Sequence, residues 1–104
     1  MAHSNRMTFR QIVESTRMDA ARAAWDRAKF ASRLRHVEAV AGHRRNARRL
    51  GEWKVRAIRL AVSLAPEQIR LTIDDDYQIG LLSVRWPGHG RLHLPADVRL
   101  DSAV

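Results

Sequence analysis

Between residues 43 and 59 the chain sets His43, Arg44, Arg45, Arg48, Arg49, Lys54, Arg56 and Arg59 against one acid, Glu52, so this stretch carries +6 of a formal net charge of +8. Guanidinium groups at that density do one kind of chemistry well: they donate paired, charge-assisted hydrogen bonds to phosphate or carboxylate oxygens. The rest of the chain is lopsided, with residues 1–42 at net +4 and residues 60–104 at net −2. A concentrated basic block beside a mildly acidic remainder is the footprint of a protein that meets a polyanion or an acidic protein surface. Arginine outnumbers lysine 17 to 2, a skew that GC-rich codon usage alone can produce. The clustering carries more weight, because codon bias scatters arginine and does not leave one end of a chain net acidic.

Within the block, Arg44, Arg45, Arg48 and Arg49 recur at four-residue spacing, which on a helix makes two adjacent guanidinium rows able to follow a phosphate backbone or enter an RNA groove. Asn46 lies between them with the groups to read a base edge. Over residues 43–49 alone the chain resembles, in a generic way, the arginine-rich peptides that bind structured RNA, a likeness of seven residues that carries no function across by itself. The competing reading is a solvated helix start whose arginines pair with Asp74, Asp75 and Asp76. Lys54, Arg56 and Arg59 continue the ridge, although Arg56 and Arg59 sit among apolar neighbours that also suit packing or internal pairing. Arg70, Arg85, Arg91 and His93 extend the surface if strand register puts them on the solvent face. Trp25, Trp53 and Trp86 fall at apolar-periodic positions and are expected in the core.

Other chemistry lacks its residues. There is no cysteine, hence no disulfide framework and no thiolate metal site. His89 and His93 lie four apart across a turn without a third ligand, and the consecutive aspartates 74–76 have neither the spacing of a calcium loop nor that of a two-metal nuclease. The serines stand outside any nucleophile-elbow context, and no glycine-rich phosphate loop occurs. No catalytic residue, metal or cofactor is expected, and the protein is read as a non-enzyme. The start lacks a signal-peptide pattern and no run approaches a membrane span, so a cytoplasmic location without membrane partners is the default.

The elements that position the arginines can be read from period and punctuation. Thr8 and Gln11 have capping-box spacing, with Met7 and Ile12 as a staple. From Thr8 to Ala41 neither proline nor glycine occurs, and Phe9, Ile12, Val13, Thr16, Ala20, Ala23, Phe30, Leu34, Val37 and Ala41 recur at steps of three and four, predicting an amphipathic helix. A straight helix of that length spans about 50 Å, so a bend or break near Ser15 or Thr16 is weighed, and Gly42 supplies a left-handed C-cap. A second helix follows, with Arg45, Arg49, Glu52, Arg56, Arg59 and Ser63 as one polar stripe and apolar flanks on both sides. Strand alternation over Ile58–Leu64 fails at Lys54 and Arg56, and Pro66 ends the helix.

The period then changes to two. Ile69, Leu71 and Ile73 predict a half-buried strand, Asp74–Asp76 a turn, Ile79–Trp86 a second strand, Pro87–Gly90 a turn and Arg91–Leu94 a third. The expectation is one α+β domain: a flexible start (1–7), a helical part (8–65) of two helices, or three if the first breaks, packed on a C-terminal three-stranded antiparallel β-meander (66–95), and a tail (96–104). The functional expectation is a small basic nucleic-acid-binding or ribonucleoprotein accessory protein, with Arg44, Arg45, Arg48, Arg49, Lys54, Arg56 and Arg59 as contacts to RNA or DNA. The runner-up is a protein-interaction module, an adaptor, inhibitor or homodimer, whose ridge meets an acidic surface while the long helix supplies an apolar interface.

Overall fold

The computed structural model describes residues 6–74, 81–95 and 98. Helix α1 runs unbroken over Phe9–Val40, and α2 over Arg44–Leu64. The capping box forms as spelled: the Gln11 amide donates to Thr8 Oγ1 (3.2 Å) and the Thr8 amide donates to Gln11 Oε1 (2.7 Å). The weighed break near Ser15 does not occur, since the polar side chains there leave the backbone ladder intact. At the other end Gly42 takes φ +81°. Its amide donates to the Ala39 carbonyl (3.1 Å) and the His43 amide to the Glu38 carbonyl (2.9 Å). That pair of bonds is a Schellman stop, which reverses the chain within three residues and makes α1 and α2 a hairpin.

Strands β1 (Arg70–Asp74), β2 (Leu81–Trp86) and β3 (Gly90–Pro95) form an antiparallel meander in the order β1-β2-β3. The β2–β3 connection uses Pro87 and Gly88, the latter at φ +87°, with the His89 amide donating to the Trp86 carbonyl (2.8 Å). This is a type II turn, with proline and glycine where that turn demands them. The fold is therefore the expected α+β arrangement of two helices followed by a three-stranded sheet. The expected aspartate turn, the start of the second strand at Ile79 and Gly80, and most of the tail lie outside the described residues.

Helices and sheet meet in a core built largely from alanine: Ala21, Ala24, Ala28, Ala57, Ala61 and Ala65 are buried around Trp25, Ile58, Val84, Trp86 and Leu94. Small side chains let α1 and α2 approach closely, and Trp25 meets the edge of Trp86 at 5.9 Å between ring centres. Two polar ties fix α1 to the β2–β3 hairpin. Trp25 Nε1 and Lys29 Nζ both donate to the His89 carbonyl, at 2.9 and 3.0 Å. Arg17 closes the far end, donating to the Leu64 carbonyl, to Glu14 and to Glu67. Its hydrogen bond is the main reason the Glu67 carboxyl titrates below the usual range.

Three expectations about facing are corrected. The row of larger apolar residues on α1 does not face the core: Phe9, Ile12, Val13, Phe30, Leu34 and Val37 are all exposed, Phe9 at 82%. Trp53 is likewise 53% exposed, on the outer side of α2. On the sheet, Leu71 and Ile73 share the inner face with Val84 and Leu82 by register yet stay exposed, so the helices cover β2 and β3 and leave β1 at an uncovered edge.

Candidate nucleic-acid interface

The α2 arginines are positioned by the burial of the opposite helix face. Ala57, Ile58 and Ala61 turn inward, and a helix that buries them must carry Arg45, Arg49, Glu52 and Arg56 outward, about half a turn away. Arg44, Arg45, Arg48, Arg49 and Arg56 are all exposed. Among the described residues none of these five forms an ion pair with a carboxylate. The ion pairs that do form involve Arg17 with Glu14 and Glu67, and His43 with Glu38. Pairing with Asp74, Asp75 and Asp76 lies outside the described side chains.

Two members of the expected ridge behave differently. Lys54 is buried at 6% exposure and its ammonium donates to the His93 carbonyl of β3 at 2.6 Å. It therefore ties α2 to the sheet and does not present its charge to solvent. Burial is the larger cause, and the charge of Arg35 the smaller, of a pKa pushed below the usual lysine value of 10.5. Arg59 is half-buried. Asn46 is engaged too, donating from Nδ2 to Glu38 Oε1 at 3.4 Å, so the side chain that suits a base edge is turned toward the last turn of α1.

The arginines cluster at the beginning of α2, where helix electrostatics disfavours them. The first turn of α2 has no acidic residue and its N-cap, His43, makes no side-chain capping bond. Backbone amides at a helix N-terminus already present about half a positive charge, and each cation placed there costs roughly 0.3–1 kcal/mol at low ionic strength. Local stability therefore does not explain Arg44 and Arg45. An anion docked at this end would satisfy both the amides and the guanidinium groups.

Two surroundings were not legible in the sequence. Trp53 stands between Arg49 and Arg56, one turn to either side, and with Leu34 and Leu50 it floors an open depression of about 580 Å³ whose lining includes both arginines. An exposed indole between two guanidinium groups is a stacking surface. On the other flank, Arg48 and Arg35 line a groove of about 250 Å³ against His93 and Pro95 of β3. A depression of about 410 Å³ continues from Arg35 along β3 to Arg91.

Beyond Arg91 lies the outer face of the sheet, and its register settles what spacing could not. Arg70 is paired with Arg85, and Arg85 with Arg91, so three guanidinium groups form one row across the three strands. They are exposed and line a shallow hollow of about 410 Å³ with Thr72, Ser83 and Pro87. Like charges directly opposite on neighbouring strands destabilise a sheet.

Comparison with protein-family models, with curated proteins and with solved structures finds no match to this chain. Among the described residues no helix is long and apolar enough to cross a membrane, and no group of three or more histidine, aspartate or glutamate side chains is placed to hold a metal ion.

Proposed function

We propose that the protein is a small non-enzymatic nucleic-acid-binding or ribonucleoprotein accessory protein that holds phosphates on the arginine face of α2. The observation that carries this reading is that Arg44, Arg45, Arg48, Arg49 and Arg56 stand together in solvent without a carboxylate partner among the described residues. The placement of Arg44 and Arg45 in the first turn of α2 supports it, since cations there oppose helix stability and favour an anion. Trp53 adds a face on which an unpaired base can stack, and Arg35, Arg91, Arg85 and Arg70 carry positive charge around β3 to the outer sheet face.

The test is a titration of labelled single-stranded RNA, hairpin RNA and duplex DNA at 50 and 200 mM salt, roughly the range over which counterion release is well measured. The native chain is compared with the Arg44→Ala/Arg45→Ala/Arg48→Ala/Arg49→Ala variant and with Trp53→Ala. Binding at micromolar or tighter dissociation constants is expected. Removing four phosphate contacts should flatten the slope of log K against log salt by about 3.6 for duplex and about 2.8 for single strands. Trp53→Ala should weaken single-stranded binding by about 1–3 kcal/mol and leave duplex binding nearly unchanged. Equal affinity of the native and four-alanine chains would refute the proposal, and binding confined to acidic proteins would transfer the ridge to the interaction-module reading.

A further inference from the structure

Helix α1 is apolar on two sides, and the allocation is the reverse of what a lone chain favours. Ala21, Ala24, Ala28 and Ala31 are buried, whereas Phe9, Val13, Phe30, Leu34 and Val37 face solvent. Burying a phenylalanine, leucine or valine is worth about 1.5–3 kcal/mol each, well above an alanine methyl. The exposed row also has a stricter order than amphipathicity requires. From Phe9 through Val13, Thr16, Ala20, Ala23, Arg27, Phe30 and Leu34 to Val37, its members alternate at steps of four and three, all exposed. That is the seven-residue repeat of a helix-to-helix seam, with Arg27 as its one charged member.

We infer that this face is covered by α1 of a second copy of the chain, running antiparallel, with the two-fold axis near residue 25. Antiparallel pairing about that point sets a large residue on a small one in four layers, Phe9 on the partner's Ala41, Leu34 on the partner's Thr16, Phe30 on the partner's Ala20 and Arg27 on the partner's Ala23, and valine on valine in the fifth, Val13 on the partner's Val37. Flanking positions complement as well. Ile12 meets the partner's Val40, both exposed in the single chain, and Asp19 meets the partner's Arg33. The two Asp26 carboxylates approach at the axis, the one like-charge contact among these flanking positions.

A parallel pair has none of this complementarity, since it stacks Arg27 on Arg27, phenylalanine on phenylalanine, and two successive layers of alanine on alanine. The 32 residues of α1 give a seam about 48 Å long. At helix width this covers on the order of 1,000 Å² over both partners, the size at which a specific interface becomes credible.

The experiment is sedimentation equilibrium of the intact chain without nucleic acid, at about 0.3 M salt so that repulsion between two basic chains is screened. Twice the chain mass is expected. Phe30→Glu, at a position 46% exposed in the single chain, should give the single-chain mass with unchanged helical circular dichroism. Asp19→Arg and Arg33→Asp should each weaken association by about tenfold, as two symmetry copies of the pair are lost together, and the double exchange should restore it. Because the chain has no cysteine, a spin label on Ala39→Cys reports direction: the labels should lie about 42 Å apart along the axis, from 28 residues at 1.5 Å. A single-chain mass at all concentrations, a dimer unmoved by Phe30→Glu, or adjacent labels would each overturn the inference.

Discussion

The facing of α1 can be decided by two substitutions at neighbouring alanines. Ala24 is fully buried between the helices, while Ala23, one position earlier, lies on the exposed row. Replacing either by leucine adds three carbons and slightly lowers helix propensity, by the same amount at both mid-helix sites, so the backbone contribution cancels between them. At Ala24 those carbons enter a contact in which Ala28, Ala57 and Ala61 also keep the helices close. Overpacking such a contact costs about 1–3 kcal/mol. For a domain whose whole stability is about 5–15 kcal/mol, this lowers the melting temperature by roughly 4–20 °C. At Ala23 the same leucine meets solvent and should change stability by less than about 0.5 kcal/mol.

Urea and thermal denaturation followed by circular dichroism would measure both, in the Phe30→Glu background so that self-association does not contribute. If Ala23→Leu were the damaging change and Ala24→Leu the tolerated one, α1 would be rotated by a third of a turn. The core and the exposed seam would then both be misassigned.

Two further outcomes follow from the same packing. Gly42→Ala should cost about 1–2 kcal/mol in denaturant unfolding, because φ +81° is a left-handed conformation that a Cβ disfavours, and open space around the site leaves no other cause. Lys54 has a folded-state pKa below its unfolded value of about 10.5. Protonated lysine therefore penalises the fold at neutral pH, and the penalty fades as pH rises through the depressed pKa toward 10.5. Unfolding free energy of the native chain should climb over that alkaline window relative to Lys54→Met, and parallel pH profiles would contradict the burial of its charge.

Most of the architecture was legible because local chemistry and tertiary structure agree. Thr8 and Gln11 spell a cap, Gly42 a left-handed stop, Pro66 a helix end, and Pro87-Gly88 a turn, and each needs only its own neighbours. Which face an element buries is a different matter, since it depends on what another element offers. Hydropathy ranks Phe30 and Leu34 above Ala24 and Ala28, yet close approach of α2 selects the small residues for the α1–α2 contact. Hydropathy likewise points Trp53 inward, whereas it is exposed on the outer side of α2. The charge of Lys54 suggests solvent and a place on the ridge, whereas the fold supplies the His93 carbonyl as its partner. The strand arginines could be named from the sequence but not aligned, because a one-residue slip in register would send them to the other face.

The row Arg70–Arg85–Arg91 has its spacing dictated by the backbone ladder, since each member comes from a different strand. Side-chain rotation can splay the guanidinium tips, but it cannot separate their roots, held about 5 Å apart by interstrand hydrogen bonding. A single acidic residue at the central position would turn mutual repulsion into two attractive neighbours, each worth about 0.2–1 kcal/mol. The chain instead keeps an electrostatic spring wound across its outer sheet, and any polyanion laid over the three strands relaxes it.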